Sequence, residues 1–340
     1  METILIAFLI FGVLVVFHEF GHFSVAKLVG IKVHEFSIGM GKPRIFKFKK
    51  GETEYSIRPL PIGGYVKMEG EDEASTDERS FNNKPLWARM LVIVAGPFMN
   101  FIFAILLFSM MFYMIGFPTN DTTIGDIIPN YPAQMAGIKA GDKILSIDGK
   151  EMNSWKQIVE TIHSKKDQKI NIKILRDGKE KSFSIKPLLN KETNQVMIGI
   201  SPTIKKSFAK SISMGFDRMT FVIKSMLAFF MKPSMKDVVG PVGIIHIVGQ
   251  AAKTNIYSVL WIVGFISVNL GIVNLLPIPA LDGGRLVFLI IEGLRGKPLD
   301  PEKEGFIHLT GFVLLMSLMV FMIFKDVERF KLFQHIFDLF

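Results

Sequence analysis

The chain has no cysteine among its 340 residues. Disulfides and thiolate metal sites are therefore excluded, and any metal must be held by His, Asp or Glu. Tyr and Trp are scarce, at 5 and 3 against 31 Phe and 19 Met. No basic-aromatic motif of a nucleic-acid binder occurs, and the net charge of +9 is spread along the sequence. Its lysines are expected to contact anionic membrane lipid and solvent, with no nucleic acid as partner. Mean hydropathy is +0.36 with 21% charged residues, the balance of membrane spans alternating with soluble segments.

Charge-free runs at Thr3–Phe17, Met90–Pro118, Tyr257–Leu281 and Phe306–Phe324 locate four spans, taken as residues 1–29, 90–118, 257–284 and 306–325. The first is expected to stay in the membrane rather than be cleaved. No basic region precedes it, and His-Glu-x-x-His stands where small cleavage-site residues would belong. "MTFVIKSMLAFFM" (Met219–Met231), interrupted by Lys224, predicts an amphipathic helix lying on membrane or protein, within a linker over 189–256. Residues 285–305 are expected to form a loop and 326–340 an interfacial amphipathic tail. In the loop 30–89, alternating "RIFKFK" and "YSIRP" predict short strands and hairpins. The acidic tract Glu69–Ser80 reads as an exposed loop without assigned function.

"VVFHEFGHFSVAK" places His18, Glu19 and His22 inside the first span. On a helix His18 and His22 share one face, one turn apart. The pattern is that of two imidazoles holding Zn2+ while the glutamate handles the proton of water. Histidines spaced so by chance on a core helix are the bland reading. Each such group near the bilayer centre costs about 2.5–3.5 kcal/mol, so a cluster without purpose is disfavoured. A third ligand is needed. Parity of the spans puts Asp282, at the end of "NLGIVNLLPIPALDGGRL", and "VAGPFMNF" (Val94–Phe101) on the side reached by the histidines. Asp282 is the third ligand on this reading; a solvent-facing Asp-Gly turn is the alternative. Pro277 and Pro279 break the helix where a water-lined cavity can tolerate it. Asn274 is a donor to the scissile carbonyl or an interhelical packing group, and Gly96 and Pro97 permit close helix packing. His308 is read as a packing hydrogen bond, and His246 as no ligand.

Residues 119–188 form a separate soluble α+β region. Its sequence holds a short helix near Pro132, an N-capped helix from Ser154, and a hairpin turning at Asp177-Gly178. The order resembles a bacterial PDZ domain. That resemblance implies an extended peptide or a protein C-terminus as ligand, with its carboxylate near Thr123–Ile127.

"FHEFGHF", "AGPFMNF", one PDZ-like region and "NLLPIPALDGGR", with "PIGGYVKMEGE" and "FNNKPLWARM" between them, extend over nearly the whole sequence. Together they resemble the site-2 protease family of intramembrane zinc metalloproteases, in its regulator-of-sigma-E branch. The implied fold is a polytopic α-helical membrane protein: four transmembrane helices, a membrane-associated β-hairpin region and one inserted PDZ domain. The resemblance implies His18, His22 and Asp282 as zinc ligands and Glu19 as general base and acid. It also implies a β-hairpin over Gly63–Met68, including Gly63, Gly64, Tyr65 and Val66, whose edge pairs with unwound substrate. Asn274, Pro277 and Pro279 complete the expected substrate contacts. The expected substrates are single-span membrane proteins, such as anti-sigma factors or remnant signal peptides. The expected location is the bacterial inner membrane, with the active site near the cytoplasmic side and the PDZ domain outside. A non-catalytic PDZ adaptor is the main rival, and a zinc transporter the next. Glu19 beside the ligands favours the enzyme, because a transporter needs no general base there.

Overall fold

A computed structural model describes residues 2–71, 75–166, 168–190, 195–232 and 238–329. The protein separates into two compact units, one from residues 1–111 and 211–340, the other from 112–210.

The first unit begins with α1 (Glu2–Leu28), followed by β1 (Val33–Met40), β2 (Phe46–Lys50), β3 (Thr53–Ile57) and β4 (Leu60–Met68), then α2 (Leu86–Ile115). The strands form one sheet in the order β2-β3-β1-β4. β2 and β3 make a hairpin across Gly51, which adopts the left-handed conformation its turn requires. Gly63–Met68 is therefore not the hairpin that the family resemblance implied. It lies in β4, an edge strand paired antiparallel with β1. The sequence neighbour β3 took the far side of β1, in parallel.

A buried polar network ties this sheet together. Glu35 accepts from Ser56 Oγ (2.6 Å), Arg58 Nη2 (2.8 Å) and the Tyr65 hydroxyl (2.8 Å). Burial pushes the Glu35 carboxyl upward, but the hydrogen bonds from Ser56, Tyr65 and Arg58 outweigh it and hold the group down at about 2.

The second unit holds β5 (Phe117–Pro118), β6 (Ile124–Ile127), α3 (Pro132–Met135), β7 (Lys143–Ile147), β8 (Lys150–Glu151), α4 (Trp155–His163), β9 (Ile170–Arg176) and β10 (Lys179–Ile185). It continues with β11 (Leu188–Asn190), β12 (Gln195–Met197), β13 (Ile200–Pro202) and β14 (Ile204–Lys205). Its core is built of isoleucines, among them Ile124, Ile144, Ile158, Ile172 and Ile198. The expected hairpin turns at Asp177-Gly178, both with positive φ, as a two-residue turn demands. The boundary expected at 188 falls short, because β13 pairs with β6 and β14 with β5, so the unit needs residues to Lys205. Nor is Thr123–Ile127 an open loop. β6 is paired with β13 on one side, while Ile124 exchanges backbone bonds with Asp142 and Gly141 on the other.

The first unit resumes with α5 (Phe208–Met231), α6 (Pro241–Thr254), α7 (Ile256–Leu275), α8 (Asp282–Arg295) and α9 (Pro301–Arg329). Residues 208–254 are thus largely helical rather than linker. The third span was expected to run to 284, but α7 stops at Leu275. Pro277 forces Leu276 into the extended region (ψ 144°). Helix restarts at Asp282, so much of the expected 285–305 loop is α8. Asp326–Arg329 continues α9, where the buried Asp326 accepts from the amides of Gly240 and Gly243 at the start of α6. The rest of the expected amphipathic tail lies outside the described residues.

Among the described residues, four helices are long and apolar enough to cross a membrane: Thr3–Leu28, Leu86–Ile115, Ile256–Leu275 and Glu302–Arg329. Small residues let them approach. A Cβ on Gly21 would stand 2.2 Å from the Ala95 carbonyl oxygen, and one on Gly271 3.0 Å from that of Pro97. Close backbone approach of this kind is how helices associate where lipid offers no hydrophobic driving force.

Candidate metal centre

The α1 face carrying His18 and His22 meets the start of α8 and the first half of α2. His18 Nε2 lies 3.2 Å from His22 Nε2. Asp282 Oδ2 is 3.1 Å from the former nitrogen and 3.5 Å from the latter. Three atoms each about 2.0–2.1 Å from a tetrahedral centre would be separated by about 3.3 Å, the size of this triangle. Asp282 Oδ2 is buried and has no hydrogen-bond partner among the described residues. An orphaned carboxylate oxygen facing two imidazole nitrogens is costly unless a cation joins them. The donor set fits a divalent metal of zinc type.

The outer contacts of the two rings bear on their orientations. His22 Nδ1 stands 2.8 Å from the Val92 carbonyl, which can only accept, so the proton is on Nδ1 and the lone pair on Nε2. His18 Nδ1 faces the Asn100 side-chain amide at 3.1 Å, with Asn100 Oδ1 buried and without a hydrogen-bond partner among the described residues. Rotating that amide by half a turn lets Oδ1 accept from Nδ1–H and frees the Nε2 lone pair for a metal. Ser267 Oγ donates to the Asn100 backbone oxygen (2.7 Å), tying α7 to the same point.

These residues open onto a cavity of about 550 Å³, lined by His18, Glu19, His22, Asp282, Tyr65 and Val66, with Arg285 and Glu71 also on its wall. Gly64 brings β4 against Glu19: a Cβ there would sit 2.8 Å from the Ser37 carbonyl oxygen and 3.3 Å from Glu19 Cγ. Of the residues expected to contact substrate, Tyr65 and Val66 line the cavity and Gly64 adjoins it. Gly63, Asn274, Pro277 and Pro279 are not part of its lining.

Arg285 and Glu71 are among the lining residues that were not foreseen. Arg285 follows Asp282 by three positions, hence on the same helical face once α8 starts at Asp282. It pairs with Glu71. The amphipathic run "DGGRLVFLIIEGLR" was the signal for this helix. Glu71 belongs to the tract expected to be a bare exposed loop; its neighbour Glu69 also accepts from His34 (2.5 Å) and Ser75 (2.6 Å).

A triad of side chains able to hold a metal ion, with a glutamate beside it and carried on apolar helices, is the arrangement of a membrane-embedded metal-dependent hydrolase. Residues 6–318 match Peptidase family M50. The chain is 34% identical to regulator of sigma-W protease RasP of Bacillus subtilis, across 96% of this chain and 99% of RasP. It is likewise 34% identical to zinc metalloprotease RasP of Bacillus licheniformis, across 97% and 99% of the two proteins. The crystallised PDZ domain of an SdrC-like protein from Listeria innocua is similar to 24% of this chain at 32% identity, covering 93% of that domain, with a TM-score of 0.22. The chain belongs to peptidase family M50, the site-2 proteases, in the branch that includes RasP.

Proposed function

We propose that this bacterial membrane protein hydrolyses peptide bonds within or beside the transmembrane segment of single-span membrane proteins. The metal is zinc, and His18 Nε2, His22 Nε2 and Asp282 Oδ2 are its three protein ligands. The observation that carries this reading is the 3.1–3.5 Å triangle with its orphaned carboxylate oxygen, beside Glu19 in one cavity. Zinc in such a site supplies Lewis acidity, lowering the pKa of water to about 7 and polarising the scissile carbonyl. Glu19 takes the proton of the attacking water and delivers it to the departing amine, acting as base and then acid. Tyr65 and Val66 hold the substrate extended by pairing it with the edge of β4, since a peptide bond inside a helix is shielded from attack. Arg58 and Glu35 keep the Tyr65 hydroxyl fixed while this happens.

Anti-sigma factors and remnant signal peptides are the proposed substrates, being single spans already trimmed on one side. We read the unit 112–210 as a PDZ domain facing the extracytoplasmic side and binding a peptide, with the metal centre near the cytoplasmic side. The adaptor reading gains nothing from a glutamate placed against a metal triad.

Complete chelation of the purified full-length protein is expected to stop cleavage of a single-span test substrate, and added zinc to restore it. Cleavage persisting after metal removal, verified by elemental analysis, would rule the mechanism out. Sidedness is tested by single cysteines, for which the cysteine-free sequence is already a clean background. A thiol introduced at Lys150 should react with an impermeant reagent from outside intact cells, and one at Lys49 only after lysis. The reverse pattern would invert the proposed orientation.

A further inference from the structure

Between α7 and α8 the backbone makes a six-residue loop, Leu276–Leu281, that ends directly at Asp282. Two features show that this loop is clamped. A Cβ on Gly283 would lie 2.1 Å from the Leu276 carbonyl oxygen, and one on Gly284 2.5 Å from that of Ile278, so the loop folds back onto the first turn of α8. On its other side it meets α9, where a Cβ on Gly311 would lie 2.5 Å from both Cβ and the carbonyl oxygen of Pro279.

Ala280, two residues before Asp282, has φ +76°, a left-handed conformation that a residue with a Cβ rarely adopts. Such a conformation persists only where its surroundings enforce it. What holds it is a hydrogen bond from outside the loop: the Ala280 amide donates to His308 Nδ1 of α9 at 2.9 Å. His308 is itself fixed edge-on against Phe288 of α8, ring centroids 5.2 Å apart. Its Nε2 is buried without a hydrogen-bond partner among the described residues, and Glu304 Oε1 lies 3.8 Å away, beyond hydrogen-bond reach. An acceptor Nδ1 places the ring proton on Nε2 in the neutral form.

We propose that His308 is a positioning residue for the metal centre. By accepting from Ala280 N–H it locks the loop in its left-handed turn and so sets where Asp282 Oδ2 stands relative to the two histidines of α1. Oriented imidazoles on α1 are not sufficient, because the third ligand arrives from a separate helix by way of a loop that has no regular secondary structure. The fourth spanning helix, remote in sequence from both motifs, supplies the anchor. The inference rests on the ligand assignment proposed above.

The test compares two replacements of opposite character. H308M nearly keeps the side-chain volume but cannot accept a conventional hydrogen bond. H308N is smaller and places Oδ1 where Nδ1 stood. Zinc affinity of each full-length variant in detergent is read by competition with a chromogenic chelator, with thermal unfolding and cleavage rate measured in parallel. H308M is expected to bind zinc about 10–100-fold more weakly, the usual loss when an outer partner of a metal site is removed. H308N is expected to stay close to wild type. A role in packing alone demands the opposite order, with H308N the worse of the two, and that result overturns the proposal. Should H308M not fold, H308L serves as the acceptor-free variant under the same criterion. D282A separates the two layers of inference. If D282A retains wild-type zinc affinity, the ligand assignment and this proposal both fail. If D282A loses zinc and H308M does not, only the role of His308 fails.

Discussion

Glu19→Gln is expected to reduce the cleavage rate constant by about 10²–10⁴-fold, the range that a positioned general base and acid contributes, while zinc content stays that of the wild type. The substitution keeps the shape of the side chain and removes only its ability to take and return a proton. Packing leaves little room for another outcome, because Glu19 is confined by the close approach of β4 at Gly64. The carboxylate is one of the polar groups lining the cavity, and the other acidic residues there are engaged: Glu71 pairs with Arg285, and Asp282 faces the histidines. Single-turnover cleavage of a single-span substrate, with zinc measured on the same preparation, makes the comparison. A variant that cleaves at near the wild-type rate with full zinc would show that another group moves the proton.

The second large effect is expected at a residue without a side chain. A Cβ on Gly96 would stand 2.2 Å from His22 Nε2, 2.6 Å from Cε1 and 2.8 Å from Cδ2. One methyl group therefore collides with the face of the ring at the atom assigned to the metal. The ring has little freedom to retreat, since its Nδ1 is bound to the Val92 carbonyl on the same helix as Gly96. Moving α2 away would cost the close backbone packing of Gly21 of α1 against Ala95. G96A is thus expected to fold and to lose zinc, with affinity down by at least about 10–100-fold, the scale set by disturbing a ligand's support, and cleavage falling with it. G305A is the control, as a Cβ there meets nothing within 4 Å. Wild-type zinc binding by G96A would mean that His22 is not held as described.

Gly96 also shows the limit of reading the sequence without the tertiary structure. Its sequence context, beside Pro97 in a spanning helix, marks a place where helices pack closely. That the partner is the ring of His22 depends on how α1 and α2 are rotated about their axes. Span number and apolar length constrain neither rotation. Asp282 illustrates the opposite case. Parity of the spans placed it on the same side as the histidines, and it does meet them, although it heads α8 rather than ending α7. Pro277 and Pro279 carried that information, since they had to stop a helix before the aspartate. Asn274, read either as a donor to the scissile carbonyl or as an interhelical packing group, is not among the residues lining the cavity. Its position one residue before the end of α7 says nothing of which way the last turn points.

His18, Glu19 and His22 close together on one helix, the absence of any thiol ligand, apolar segments long enough to cross a membrane and an α+β region between the second and third of them were determined by sequence alone, because each follows from local spacing or composition. The pairing of β4 with β1, the anchoring of Ala280 by His308, Arg285 and Glu71 on the cavity wall, and the fit of Gly96 to His22 were decided only by the tertiary structure. Each depends on two segments distant in sequence approaching within a few ångströms. Such contacts are set by the packing of whole helices and strands, and no local pattern of residues encodes them.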